Sequence, residues 1–172
     1  MLNFDQNIYA NISYLGCASE YIDDIWENIE QIDLLHSFSH DEVKAICRYL
    51  DCYAAPRGYI LFEPQSQSDH LILVLSGSVS VSEFHGGVEE STEFDLGASF
   101  GESSLVDQQP WHVTGVTILP TDFAILTRDA LNQMLIVHPR LANKLLLVLM
   151  RKIALRLRSL DAPTQFESAH FE

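Results

Sequence analysis

The run Phe100-Gly101-Glu102-Ser103-Ser104-Leu105-Val106-Asp107-Gln108-Gln109-Pro110-Trp111-His112-Val113-Thr114 decides how the rest of the chain is read. It joins one strand-rich region to another and places a glycine, a carboxylate and two hydroxyls at the start of a helical turn. A glycine followed by small polar residues lets backbone N–H groups face outward at a helix N-terminus, where an anion is favoured. Gly101 and the amides of Glu102 and Ser103 are therefore candidate anion donors. The chain has no nucleophile elbow, P-loop or zinc-protease motif, and Ser103 and Ser104 lack an evident partner base. No catalytic residue is assigned.

Working outward, short apolar runs recur on both sides. Tyr59-Ile60-Leu61-Phe62 reads as a strand, Leu71 to Leu75 as a buried strand, and Val79, Val81 and Phe84 as an alternating one. His85-Gly86-Gly87-Val88 marks a hairpin, because Gly-Gly supplies the positive φ angles of a tight turn. Strands follow to about Phe94, from Val113 to Leu119 and from Phe123 to Leu126. Many short strands at roughly 8–12-residue spacing predict a rolled or closed antiparallel sheet.

Helices flank these strands. Ser19 is a candidate cap before Ile22, Ile25, Trp26 and Ile29, which recur at helical spacing. Ser39 with Glu42 forms a capping-box pattern, Phe38 is placed to staple onto Val43, and Val43, Ile46, Cys47 and Leu50 make one apolar face. Trp26 and Cys47 read as core residues. Thr127 caps a helix carrying Leu131, Met134 and Leu135; Pro139 breaks it and starts another that runs to about Leu160. The apolar face of this last helix exceeds what one flank of a small barrel covers, which predicts a homodimer through residues 139–160. Residues 1–18 read as an arm or loop. The expected architecture is mainly β with flanking α: an antiparallel β-roll (a double-stranded β-helix, jelly-roll-like) with N-terminal helices and a long C-terminal helix. The expected division is residues 1–33 as arm and helix, 34–160 as the domain and 161–172 as a tail.

The 172 residues suffice for a real core, and an apolar content of 47% argues against disorder. The segment Leu145 to Met150 is flanked by Lys144 and Arg151, and no apolar run is long enough to span a membrane. The first residues lack a signal-peptide pattern, and three cysteines make neither a disulfide framework nor a paired metal motif. These features predict a cytoplasmic protein without membrane attachment. Net charge is −14, yet residues 139–160 carry Arg140, Lys144, Arg151, Lys152, Arg156 and Arg158 and no acid. An acidic body repels nucleic acid, so the basic helix reads as lying against the body and specific DNA binding is not expected.

The opening run resembles the phosphate-binding cassette of cyclic nucleotide-binding domains, written F-G-E-x-x-L-x-x-x-x-P-R-A-A-x. Phe100, Gly101, Glu102, Leu105, Pro110 and Thr114 match; Trp111 stands where the family has arginine. Leu34-Leu35-x-x-Phe38-Ser39, Ala55-Pro56-x-Gly58-Tyr59-x-x-Phe62, Gln65, Leu73-Val74-Leu75-x-Gly77-x-Val79-x-Val81, Asp95-x-Gly97 and His138-Pro139-x-Leu141-Ala142 extend the likeness across about 34–160. They are similar to catabolite-activator-type (Crp/Fnr-like) regulators and kinase regulatory subunits. The resemblance implies a non-catalytic regulatory or sensor domain whose ligand is a cyclic nucleotide or a related small molecule. It places the ligand at Gly101, Glu102, Ser103, Ser104, Trp111, His112, Val113 and Thr114. Glu102 would meet the ribose 2′-hydroxyl, with a helix-start carboxylate bound to its own backbone as the alternative. Trp111 would add bulk at the phosphate position. Neither Arg57, in an early turn, nor Arg128, at a helix start, is placed to substitute for the missing cation, and His112 reads as structural. Binding of cAMP or cGMP is thus expected to be weak or altered.

Only twelve residues follow Leu160, too few for the helix-turn-helix that transcription factors of this family carry there. The alternative is a dimerising scaffold, with a protein partner, that has lost its ligand. A remoter one is a cupin-like metalloenzyme using His70, His85 and His112, although no H-x-H pair supports metal binding.

Overall fold

The computed structural model describes residues 12–85 and 88–160. The start of the expected arm, the tail 161–172 and the turn residues Gly86 and Gly87 lie outside the described residues.

The apolar run near residue 71 forms the fully buried strand β4 (His70–Val74). It lies between β9 (Thr121–Thr127) and the short β7 (Ser99–Phe100) in a five-stranded antiparallel sheet. β2 (Asp51–Ala55) and β1 (Ser13–Cys17) extend that sheet beyond β9. Side chains alternate across a strand, so β4 and β9 each feed two cores. Leu71, Leu73, Ala124 and Leu126 join the helix-side cluster; Ile72, Val74, Phe123 and Ile125 join the cluster inside the roll. A strand covered on both faces reads as an unbroken apolar run rather than an alternating one.

The second sheet, in the order β3-β8-β5-β6, faces the first across the interior cluster. It consists of β3 (Ile60–Phe62), β8 (Thr114–Thr117), β5 (Ser78–His85) and β6 (Val88–Asp95). β5 and β6 pair antiparallel from Ser78↔Asp95 to His85↔Val88, as the hairpin pattern predicts. The molecule is the expected antiparallel β-roll with flanking helices.

Helix α2 (His40–Cys47) begins on the anticipated capping box: Ser39 N–H donates to Glu42 Oε2 at 2.8 Å and Glu42 N–H to Ser39 Oγ at 3.4 Å. Such a cap contributes about 1 kcal/mol. Phe38 and Val43 share the helix-side core, as does Cys47, whose thiol burial pushes up to about 12. α4 (Arg128–Val137) starts where Thr127 Oγ1 accepts from Ala130 N–H at 3.1 Å. Pro139 opens α5 (Pro139–Leu160), which buries Ala142, Leu145 and Leu149 in the same core.

Two expectations are corrected near the N-terminus. Residues 13–17 are not loop but the edge strand β1, paired with β2; neither strand has the apolar alternation that marks a strand in sequence. Ser19 does not cap α1 (Ile22–Glu27). A 3₁₀ turn over Ala18–Tyr21 comes first, and the Ser19 hydroxyl donates to Cys17 Sγ at 3.2 Å. Ala18, Ile25 and Ile32 belong to one core with Leu34 and Leu35, across the 33/34 division. The fit is tight: a Cβ on Gly97 (φ +87°) would come within 1.9 Å of the Gln31 carbonyl oxygen. Trp26 is half-buried against this core, edge-on to His40 at 4.8 Å.

Candidate functional site

β7 delivers the chain to Gly101, which has φ +87° and precedes the short helix α3 (Glu102–Asp107). A Cβ here would meet the His70 carbonyl oxygen at 2.5 Å and the Trp111 ring at 2.9 Å, so the left-handed turn requires glycine. α3 has only six residues. Ser104 is buried beneath it and Ser103 is exposed.

Glu102 is a buried carboxylate, 4% exposed. The Ser99 hydroxyl donates to its Oε1 at 2.5 Å. Lys152 Nζ, from α5, donates to Ser99 Oγ at 2.6 Å and stands 3.8 Å from Glu102 Oε1. Arg156 Nη1, one turn further along α5, is 3.9 Å from Glu102 Oε2. An unpaired buried carboxylate would cost several kcal/mol, and α5 offsets this with two cations. Glu102 is held by a neighbouring hydroxyl and a distant helix, which replaces the alternative of a helix-start carboxylate bound to its own backbone.

Trp111 is turned into the roll. It is 8% exposed and stacks on Phe62 with ring centroids 4.2 Å apart and planes 14° from parallel. Its backbone accepts from Gln65 N–H at 2.9 Å and donates to the Ser66 carbonyl at 3.2 Å. Phe62 and the interior core hold the indole on the roll side, and its ring also lines the cleft beside Gly101. Beside it a cleft of about 510 Å³ remains open.

Of the sequence-assigned residues, Gly101, Ser103, Ser104, Trp111, His112 and Val113 line this cleft together. Glu102 lies beneath the turn. Thr114 begins β8, paired with Ser82. His112 is exposed at the cleft rather than packed as a structural residue. The opposite wall is Val81, Glu83, Glu90, Thr92 and Phe94 from β5 and β6, with Arg156 from α5 at the side. Sequence reasoning missed the wall and Arg156. A signal for Arg156 exists: Leu145, Leu149, Lys152 and Arg156 fall on one helical face, so the cations continue the buried stripe.

Among the described residues, no three His, Cys, Asp or Glu side chains converge on a point suited to a metal. His70 is buried and pairs with Asp69 at 3.3 Å, while His112 faces the cleft. Also among the described residues, no helix is long and apolar enough to cross a membrane.

The chain is thus an antiparallel roll with a cleft built on a glycine-led turn and flanked by a long helix. The family model of the cyclic nucleotide-binding domain matches residues 54–138. A solved cyclic nucleotide-binding domain from Methylobacillus flagellatus is 38% identical, with a TM-score of 0.80 over 90% of this chain and 88% of that one. The CRP-like cAMP-activated global transcriptional regulator of Mycobacterium tuberculosis is 28% identical over 113 residues, covering 64% of this chain and 50% of the relative. The Cyclic AMP receptor protein of Thermus thermophilus is 29% identical over 122 residues, covering 70% and 56%. The chain belongs to the cyclic nucleotide-binding domain family. It spans about half the length of the curated relatives it matches.

Proposed function

We propose that this chain is a non-catalytic sensor module whose cleft takes a cyclic nucleotide or a close analogue, with affinity or specificity altered by the absence of arginine at position 111. One observation carries the reading: a cleft of about 510 Å³ stays open beside Gly101, Ser103 and His112, with the Trp111 indole stacked on Phe62 as part of its lining. A ligand-free scaffold would be favoured by an indole occupying that space. Two M. tuberculosis and T. thermophilus relatives carry cAMP in their names, which supports cAMP as the first ligand to try.

A homodimer through α5 completes the proposal. Leu147, Met150, Ile153 and Leu157 are exposed on α5, on a stripe away from the buried Leu145 and Leu149. A second copy of the same helix is the self-complementary cover for such a stripe. The basic character of α5 is spent partly inside the chain: Lys144 pairs with Glu42 at 2.7 Å, and Lys152 and Arg156 flank Glu102. With a net charge of −14, this supports a module that does not bind DNA specifically. A cytoplasmic setting fits three free cysteines.

Thermal shift with cAMP, cGMP and cyclic dinucleotides tests the ligand reading. A ligand at 100 times its dissociation constant stabilises by about 2.7 kcal/mol, an easily measured rise in Tm. No shift with any of them at millimolar concentration would return the scaffold reading to first place.

A further inference from the structure

Arg156 is the one permanent cation among the described residues lining the cleft, and it comes from α5 rather than from the 100–114 stretch. Its situation differs from that of Lys152. The lysine is committed, donating to Ser99 at 2.6 Å and 25% exposed in its side chain. The arginine is 61% exposed and makes no side-chain hydrogen bond to any described residue. Its contact with Glu102 at 3.9 Å is an ion pair beyond hydrogen-bonding reach. Lys152 and Ser99 already serve the buried carboxylate, so the guanidinium fork keeps its donors for something else. A planar five-donor fork suits two oxygens of a phosphate better than any other side chain.

We propose that Arg156 is the phosphate counter-charge of the ligand, so that the cation missing at position 111 is supplied by α5. The inference rests on reading the cleft as a cyclic-nucleotide site, and it narrows the ligand class. The wall opposite carries the exposed carboxylate of Glu90. A second negative charge on the ligand would meet that acidic wall, whereas hydroxyl and amino groups would find acceptors there. A singly charged cyclic phosphodiester therefore fits, and a doubly charged linear 5′-monophosphate does not. Anion recognition then resides on the same helix that carries the exposed apolar stripe.

The experiment is calorimetry of the full chain with cAMP, AMP and adenosine, at low and physiological salt, on wild type, Arg156→Gln and Arg156→Lys. Wild type is expected to prefer cAMP over AMP. Arg156→Gln should lose roughly ten- to a hundred-fold in cAMP affinity, the worth of a charge-assisted bond. It should leave adenosine binding unchanged and flatten the salt dependence for cAMP. Arg156→Lys should fall between, because it keeps the charge and loses the fork. The side chain is exposed, and thermal unfolding of the variant checks that the fold is intact. If Arg156→Gln binds cAMP within two-fold of wild type with the same salt dependence, the counter-charge lies elsewhere, while the cyclic-nucleotide reading stands. Equal losses for cAMP and adenosine would reduce Arg156 to shaping the cleft and overturn the inference. Wild type binding neither compound at millimolar concentration would bring down the cyclic-nucleotide reading and this inference with it.

Discussion

Trp111 and Phe62 lie face to face inside the roll, with ring centroids 4.2 Å apart and planes 14° from parallel. The position at which the family carries a phosphate-binding arginine is here part of an apolar core. Phe100 extends the group, 5.3 Å from Phe62, and Phe94 stands edge-on to Phe100 at 5.4 Å.

Restoring arginine at this position is therefore not a simple gain. Trp111→Arg removes a stacked, nearly buried indole, and losing such a ring costs about 3–5 kcal/mol. A fall in Tm of roughly 6–20 °C is expected from that loss. Trp111→Phe, which keeps an aromatic face against Phe62, should lose much less. Calorimetric melting of the two variants checks the order; equal Tm values for wild type and Trp111→Arg would mean the indole contributes nothing to packing.

Glu102→Gln tests the carboxylate. The resemblance assigns it the ribose 2′-hydroxyl, and a hydrogen bond to a charged group is worth about 1.5–3 kcal/mol. cAMP affinity should drop about ten-fold or more, with 2′-deoxy-cAMP binding little changed. Titration of both ligands against both proteins reads this directly. An equal loss for the two ligands would assign Glu102 to holding α5 through Lys152 and Arg156.

The exposed stripe on α5 predicts a dimer in solution. Light scattering coupled to size-exclusion chromatography at micromolar concentration should give twice the chain mass. Leu147→Asp combined with Met150→Asp should yield a monomer, since each puts a charge into an apolar seam. A wild-type monomer that persists as concentration rises would remove the dimer.

Acid should weaken the N-terminal cap of α2. Glu42 is held below the usual carboxylate range, first by its hydrogen bond from Lys144 and then by the Ser39 backbone N–H. A carboxylate depressed in the folded state stabilises fully above its unfolded value of about 4.3, and that contribution fades as pH falls through the folded value. The two side chains are 35% and 38% exposed, so solvent screening limits the pair to about 0.2–1 kcal/mol. Glu42→Gln should lower Tm by roughly 1–4 °C at pH 7 and flatten the Tm profile between about pH 5 and 3. Lys144 also sits 4.5 Å over the Phe38 ring, a contact that the substitution leaves in place. An unchanged acid limb would show that Glu42 is not the titrating group.

Much of the roll is written in local pattern. The run ending at Val74 had to be buried on both faces, because no alternation leaves room for a wet side. The Ser39–Glu42 box and the Thr127 cap announce helix starts that depend only on neighbours three residues away. The glycine-led turn at Gly101 is equally local, since its positive φ is a property of the residue itself. What local pattern leaves open is pairing at a distance. β1 and β2 are strands because Cys52 lies opposite Ala124 of β9 and Gly16 lies opposite Cys52, partners far away along the chain.

The site divides in the same way. Residue type and spacing were enough to identify the stretch from Phe100 to Thr114 and the want of arginine at position 111. They could not say that the indole stacks inside the roll, because that depends on Phe62, which belongs to another strand. Nor could they bring Lys152 and Arg156 to Glu102, about fifty residues earlier, since ion pairing depends on distance in space and not on separation along the chain. The charge of the cleft was therefore settled only when α5 packed Leu145 and Leu149 into the helix-side core and carried the cations of its next two turns to the turn at Gly101.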